Sequence, residues 1–384
     1  MKMKRMISFI IICIMMLSVA GCSNSEQSSA EATDSYKIGI VTPSLSSSED
    51  EFRAGENMVA KYPGIVEHVV LPEDFNVEIE TAISQITSLA DDPSMKAIVV
   101  VSGQSGLLPA LQKVKEKNSE IITLTAPIWD DPDMMSEYID INLDTDWARR
   151  GQTIVEKSAE MGAKTFIHYS FPTHLAKESI SKRKEMMKET CDKLGLEFVE
   201  VVTPDPQAGD GVAAMQQFLR EDIPRQIEKY GPDTNIFGSN CPMYDVIIDE
   251  ALKLKFIVAE QCCPTPTQAF PTVMNLEISE EDAGNFEKIN EMITQKAAEA
   301  GMTGRLSGWP IPATIFLPEF AVELSKKMID NSLKPEDVLS TEYLNGFATE
   351  IFGVGADFQD YFKDSTKDGQ KHNYYMMIMD SIFY

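Results

Sequence analysis

Apolar and polar positions along this chain switch between a period of two and a period near 3.6, and the switching predicts its elements. Tyr36–Val41 is a β-rich run closed by the turn residues Thr42-Pro43-Ser44. Residues 49–62 read as a helix and 66–71 as a second strand. Val77, Ile79, Ile83, Ile86 and Leu89 recur near helical spacing. Ala97–Val101 is unbroken apolar sequence, the pattern of a parallel strand covered on both faces. A helix over 107–117 and strands over 121–124 and 138–143 follow. The rhythm then restarts with a helix over 146–161, a strand over 165–169 and a helix over 177–194. A strand over 197–202 leads to helical spacing through Met215, Leu219, Ile223 and Ile227, which Pro224 should break or kink. A strand over 235–238, a helix over 244–254 and a strand over 256–259 complete the series. The last third is less regular, with helices over 279–301 and 314–331, a turn or two of helix over 344–352, and an apolar stretch over 374–383 that can close a sheet.

Two successive βαβ series predict an α/β protein of two doubly wound parallel-sheet lobes joined by a hinge. On this reading lobe one holds residues 36–143 plus about 276–330, and lobe two holds 144–275 plus about 331–384.

Residues 1–22 read MKMKRMISFIIICIMMLSVAGC. Lys2, Lys4 and Arg5 precede an apolar run from Met6 to Ala20, shorter than the roughly 20 residues of a membrane span and suited to an export signal. The ending Val19-Ala20-Gly21-Cys22 resembles a bacterial lipobox. That resemblance implies a lipoprotein signal peptide over 1–21, cleavage before Cys22 and a diacylglycerol on its thiol. The protein would then sit on the extracytoplasmic face of the cell membrane, held by its lipid. An ordinary signal peptide ending near a Cys is the other reading. Residues 22–35 are small and polar, as in a flexible tether.

Charge and rare residues narrow the chemistry. In 384 residues, 34 Lys and Arg stand against 60 Asp and Glu, a formal charge of −26. Such a balance opposes a phosphate-backbone binder, so no nucleic-acid partner is expected. Only four His occur, without H-E-x-x-H, C-x-x-C, a dinucleotide fingerprint or a P-loop, so no metal or cofactor is expected. Beyond Cys22, the thiols of Cys191, Cys241, Cys262 and Cys263 remain. A bridge from Cys241 to Cys262 or Cys263 is one option and buried free thiols the other. Vicinal thiols such as Cys262-Cys263 suit soft metals, but no further His or Cys lies near them in sequence. The acids at 91–92 and 130–133 read as solvated loop residues. His168 and His174 flank Ser170, but G-x-S-x-G is absent and no catalytic residue is assigned.

Residues 233–254, DTNIFGSNCPMYDVIIDEALKL, resemble the P-x-x-I-F-x-x-N-D-x-x-A-x-G-x-x-x-A-L segment of type I periplasmic binding proteins and of lactose-repressor-type ligand domains. Ile236-Phe237, Asn240 and Ala251-Leu252 match. Cys241 replaces the Asp, and Tyr244 and Val246 stand near the Ala and Gly. In outline the resemblance spans residues 36–275. It implies a lipid-anchored, monomeric solute-binding protein that closes two lobes on a small organic ligand for an ABC permease, without covalent chemistry. A ligand-sensing lipoprotein signalling to a membrane partner, or a surface enzyme, are the rival readings.

Ligands of open α/β sheets sit at the carboxyl ends of the strands. Lobe one offers Thr42, Ser44, Ser102, Gln104, Ser105 and Trp129 there, and lobe two offers Tyr169, Phe171, Asp205, Asn240 and Gln261. Trp309, in an irregular segment, joins them, whereas Trp147 reads as core or hinge. Trp129 is the stacking candidate, with partial burial against its loop as the alternative. The backbone N–H groups of residues 102–106 either receive an anionic group or cap their own helix.

Overall fold

The computed structural model describes residues 36–75, 77–206, 208–362 and 369–384; the proposed signal over 1–21, Cys22 and the 22–35 tether lie outside the described residues. Five of the apolar runs form parallel strands, β1 (Lys37–Thr42), β2 (Val66–Val70), β3 (Met95–Val100), β4 (Ile122–Thr125) and β5 (Ile141–Thr145). The central strands β1 and β3 are apolar at successive positions because their alternate side chains enter different cores. Ile38, Ile40, Ala97 and Val99 pack with Phe316, Phe320 and Leu324 of the Ala313–Asp330 helix. Val41, Ile98 and Val100 pack on the other face with Ile83 and Ile86 and with Leu111 and Val114.

The second sheet is built from β6 (Thr165–Ser170), β7 (Glu197–Val202) and β8 (Thr234–Gly238), ordered β7-β6-β8 and all parallel. The segment expected as a strand over 256–259 joins only by isolated bridges, Asn235 to Ile257 and Val258 to Leu306. Pro224 does not break its helix, which runs from Gly211 to Tyr230 with Met215, Leu219, Ile223 and Ile227 buried. Four buried side chains at about 1.5–3 kcal/mol each outweigh a proline cost of about 3 kcal/mol.

Four further strands follow, β9 (Ser307–Gly308), β10 (Ala356–Tyr361), β11 (Lys371–Met379) and β12 (Ile382–Phe383). They correct the lobe boundaries. β11 lies parallel to β5, with Tyr375 opposite Leu143, and β10 closes the edge antiparallel to β11. The first sheet therefore has the order β10-β11-β5-β4-β3-β1-β2. Residues 341–362 and 369–379, expected in lobe two, bring Phe347, Phe358 and Met377 into the first core. Conversely, the Phe286–Glu299 helix, expected in lobe one, places Ile289 and Ile293 in the second core. The chain thus crosses between lobes at 146–149, near 306–309 and at 380–384, and β9 and β12 on two of these crossings pair antiparallel.

One close approach fixes the second lobe. The Arg150–Glu160 and Glu178–Leu194 helices touch at Gly151, where a Cβ would lie 2.3 Å from the Arg183 carbonyl oxygen. Gly151→Ala must push the helices apart, and a loss of about 2 kcal/mol or more is expected from such overpacking. Urea unfolding should show a lower midpoint at unchanged slope. An unchanged midpoint would mean that the helices separate freely.

Candidate functional site

β5 ends at Thr145, and residues 146–149 lead directly to the amino end of the Arg150–Glu160 helix. There Arg150, fully buried, donates to the carbonyl oxygens of Gln261 at 2.7 Å and Cys262 at 2.8 Å, which follow the 256–259 segment of the second sheet. The carboxyl edges of both sheets therefore converge on the crossovers. The rings of Trp147 and Trp309 each lie 5.2 Å from the Arg150 guanidinium. This places Trp309, a ligand candidate by sequence, wholly inside the hinge core, because Arg150 occupies its ring face. Trp147 is at the hinge as expected.

The first lobe presents a stacking surface beside buried acids. Trp129 is 51% exposed. Its loop is pinned: Trp129 N–H donates to the Gln104 carbonyl at 2.9 Å, and Ser105 Oγ donates to the Trp129 carbonyl. The N–H groups of Gly106, Leu107 and Leu108 donate to the Asp130 carboxylate at 2.8, 3.1 and 2.9 Å. Asp130 fills the cradle at the start of the Leu108–Lys117 helix, and the N–H groups of Ser102 and Gly103 donate to the Pro127 carbonyl, so residues 102–104 and 106 already spend their N–H groups within the protein. Asp131 likewise caps a helix that sequence reading missed, Pro132–Tyr138, and Asp133 pairs with Lys371 at 2.6 Å. Asp131 and Asp133 remain solvent-exposed, as expected, whereas Asp130 is half-buried under the N–H groups it receives.

Two carboxyls that sequence reading did not single out flank Trp129. A Cβ on Gly103 would sit 3.9 Å from both the Trp129 ring and Glu51 Oε1. Asp144, on β5, accepts the Thr145 N–H at 2.6 Å and a hydrogen bond from Trp129. Both acids are buried, and neither has an ion-pair partner among the described residues. Burial pushes each carboxyl up to about 7, against the lowering effect of a Ser48 hydrogen bond on Glu51 and of the Thr145 and Trp129 hydrogen bonds on Asp144. Thr42, Ser44 and Ser102 are buried and bonded locally: Thr42 Oγ1 is 2.7 Å from His68 Nε2, Ser44 Oγ is 3.0 Å from two neighbouring hydroxyls, and Ser102 Oγ accepts the Gln104 N–H at 3.2 Å. Thr42 and Ser44 order the loop after β1, and Ser102 the loop after β3 that pins Trp129.

In the second lobe most sequence candidates are also internal. Tyr169 donates to Asp222 at 3.0 Å, Phe171 stacks on His174, Asp205 accepts from Thr173 at 2.5 Å, and Gln261 bridges Thr265 and Gln268. Asn240 differs, since its buried Oδ1 has no hydrogen-bond partner. Close to it the structure assembles groups that the sequence keeps apart. Glu260 Oε1 lies 3.3 Å from Arg150. Arg183 is buried over the Phe237 ring, with Nε and Nη2 unpartnered. Cys241 Sγ is 3.2 Å from Cys263 Sγ, which is 4.0 Å from Cys262 Sγ, and all four described cysteines are free thiols. Hydrogen bonds from Cys241 and Cys263, aided by the charges of Arg183 and Arg150, hold the Cys262 thiol well below its usual range.

Comparison with known proteins bears on this arrangement. A family model described as "Protein of unknown function (DUF3798)" matches residues 36–307. An uncharacterised protein of Treponema pallidum (strain Nichols) is 31% identical over 216 residues, covering 54% of this chain and 98% of that protein. A crystal structure from Clostridium difficile 630, described provisionally as a transcriptional regulator, superposes with a TM-score of 0.87 at 44% identity, covering 91% of this chain and 99% of that one. A sugar ABC transporter structure from Actinomyces odontolyticus ATCC 17982 superposes with a TM-score of 0.52 at 12% identity, covering 78% of this chain and 86% of that one, a likeness of fold. The architecture is the two-lobed type I binding-protein fold.

Proposed function

The chain belongs to the DUF3798 family, and from its two-lobed fold and converging sheet edges we propose that it captures a small hydroxylated, ring-bearing solute between the lobes and passes it to an ABC permease. The observation that carries this reading is the half-exposed Trp129 ring beside the buried, cation-free Glu51 and Asp144. A ring face binds the apolar face of a sugar or base, and carboxyls orient hydroxyls or amides. Asn240 on the opposite edge can donate and accept. Contacts from both lobes to one solute favour the closed state over the open one. Capture is stoichiometric, without turnover. The sugar ABC transporter of similar fold supports the solute class. The regulator description of the Clostridium difficile relative sits poorly with a charge of −26, which repels a nucleic-acid backbone.

Titration calorimetry against sugars and nucleosides tests the proposal. Trp129→Ala should weaken the best binder at least tenfold, about 1.4 kcal/mol, while the empty protein still folds, its thermal midpoint lowered only by the loss of the Trp129 hydrogen bond to Asp144. Equal affinity in the variant would place the solute elsewhere. The lipid anchor is tested separately. Cys22→Ser should lose labelled fatty acid and leave the precursor uncut at this site, and persisting label would refute acylation at Cys22.

A further inference from the structure

We propose that Cys241, Cys262 and Cys263 form a three-coordinate thiolate site for a soft, thiophilic metal ion, with Cu(I) as its type. The three Sγ atoms all lie within 4.8 Å of one another, with two separations of 3.2 and 4.0 Å. A metal about 2.3 Å from each sulfur sets trigonal sulfurs about 4 Å apart. The observed separations of 3.2 and 4.0 Å lie close to that spacing, and Cys263 is the exposed member of the three.

Their placement comes from the fold. Cys241 follows β8, whereas Cys262 and Cys263 follow the 256–259 segment, which the Asn235–Ile257 bridge holds beside β8. Two loops thus meet from neighbouring positions on one sheet edge. Cys262 is buried, Cys241 half-buried and Cys263 exposed, which gives a rigid floor and an entry side.

The ligand set selects the ion. Sulfur donors favour Cu(I) and zinc among the biological metals over hard ions such as magnesium or calcium. Zinc prefers four ligands, and no fourth Cys, His, Asp or Glu joins the group among the described residues. Binding forms three metal–sulfur bonds, and each thiol still protonated releases its proton to solvent; no oxidation state changes. The three thiolates and one Cu(I) leave a charge of −2. Buried Arg150 and Arg183 offset it electrostatically, and Arg183 has N–H groups without partners.

The thiol cluster stands on its own geometry, whether or not solute reaches the neighbouring Asn240. The test is anaerobic titration of the purified, reduced protein with Cu(I) held by a competing chelator, with X-ray absorption of the loaded form. One Cu(I) per chain with three sulfur neighbours is expected. Cys241→Ser and Cys263→Ser, both outside the core, should each weaken binding at least tenfold, and Cys191→Ser should leave it unchanged. Sugar or nucleoside affinity of Cys263→Ser should stay at the wild-type value, which separates this site from the capture cleft. Equal Cu(I) affinity in wild type and the Cys241→Ser/Cys263→Ser double variant would overturn the site. So would a stable Cys241–Cys263 disulfide that survives reductant and leaves no copper bound. Tighter zinc than Cu(I) binding, with a nitrogen or oxygen in the shell, would overturn the three-coordinate assignment.

Discussion

Asp144→Asn should make the empty protein more stable at pH 8 while weakening its hold on solute at least tenfold. Asp144 is buried on β5, and burial holds its carboxyl near 7. In the unfolded chain an Asp titrates near 3.9, as a typical value. Between roughly pH 4 and 7 the native state keeps a proton that the unfolded state has released. Stability therefore falls as pH rises through that window, and the full cost is present above it. With each tenfold change in proton affinity worth about 1.4 kcal/mol, the cost reaches up to about 4 kcal/mol. Asn carries no charge and escapes it. Thermal midpoints of the two proteins should coincide near pH 4, diverge up to about pH 7 and then stay apart by a constant gap to pH 8. A gap already constant from about pH 4 upward would show that the carboxyl is not desolvated. Glu51→Gln should behave with the same sign and a somewhat smaller gain, since an ordinary Glu starts higher. A fold that retains two such acids beside an exposed Trp gives up stability for a function, and solute hydroxyls bonded by charge-assisted contacts are what the acids would serve.

How far this site could be read from sequence depended on range. β1, β3 to β6 and β8 were legible as largely buried β-rich runs, whereas the half-exposed edge strands β2 and β7 were legible from β-branched residues set between turn signals. β10 was not. Its sequence ADFQDY is acidic, and it closes an edge with only Ala356 and Phe358 buried. The lobe boundaries failed for a related reason. Nothing local in Lys371–Met379 says that it will lie beside β5, more than two hundred residues earlier. The exposure of Trp129 was legible from its place in a Pro- and Asp-rich loop after a strand. Glu51 was hidden by its neighbours: Glu49, Asp50 and Glu51 all suit the positive end of a helix, and only the packing shows that the third turns inward. Asp130 was misread because a capping acid on another loop looks like a solvated one until the N–H groups that it receives are seen. Cys241 and Cys263 lie 22 residues apart, and a sheet edge unites them, not a motif.

Arg150→Met should be the most damaging single change in the hinge, with an expected loss of about 3–5 kcal/mol. Arg150 is fully buried and makes three kinds of contact at once. It bonds the Gln261 and Cys262 carbonyls, pairs with Glu260 at 3.3 Å, and lies against the Trp147 and Trp309 rings. Removing it leaves two carbonyls without their donors and a buried carboxylate without its counter-charge. Glu260→Gln should cost less, because Arg150 keeps both carbonyls and both rings. The double variant Arg150→Met/Glu260→Leu should recover part of the single loss, since an apolar pair carries no orphaned charge. Denaturant midpoints at pH 7 for the four proteins close this cycle. Equal stability of the single and double variants would show that Glu260 is not what makes the loss large. The hinge also links this residue to capture. Trp147 and Trp309 lie at or beside two of the three crossings, so a lobe no longer tied to them should bind solute more weakly even where Arg150→Met still folds.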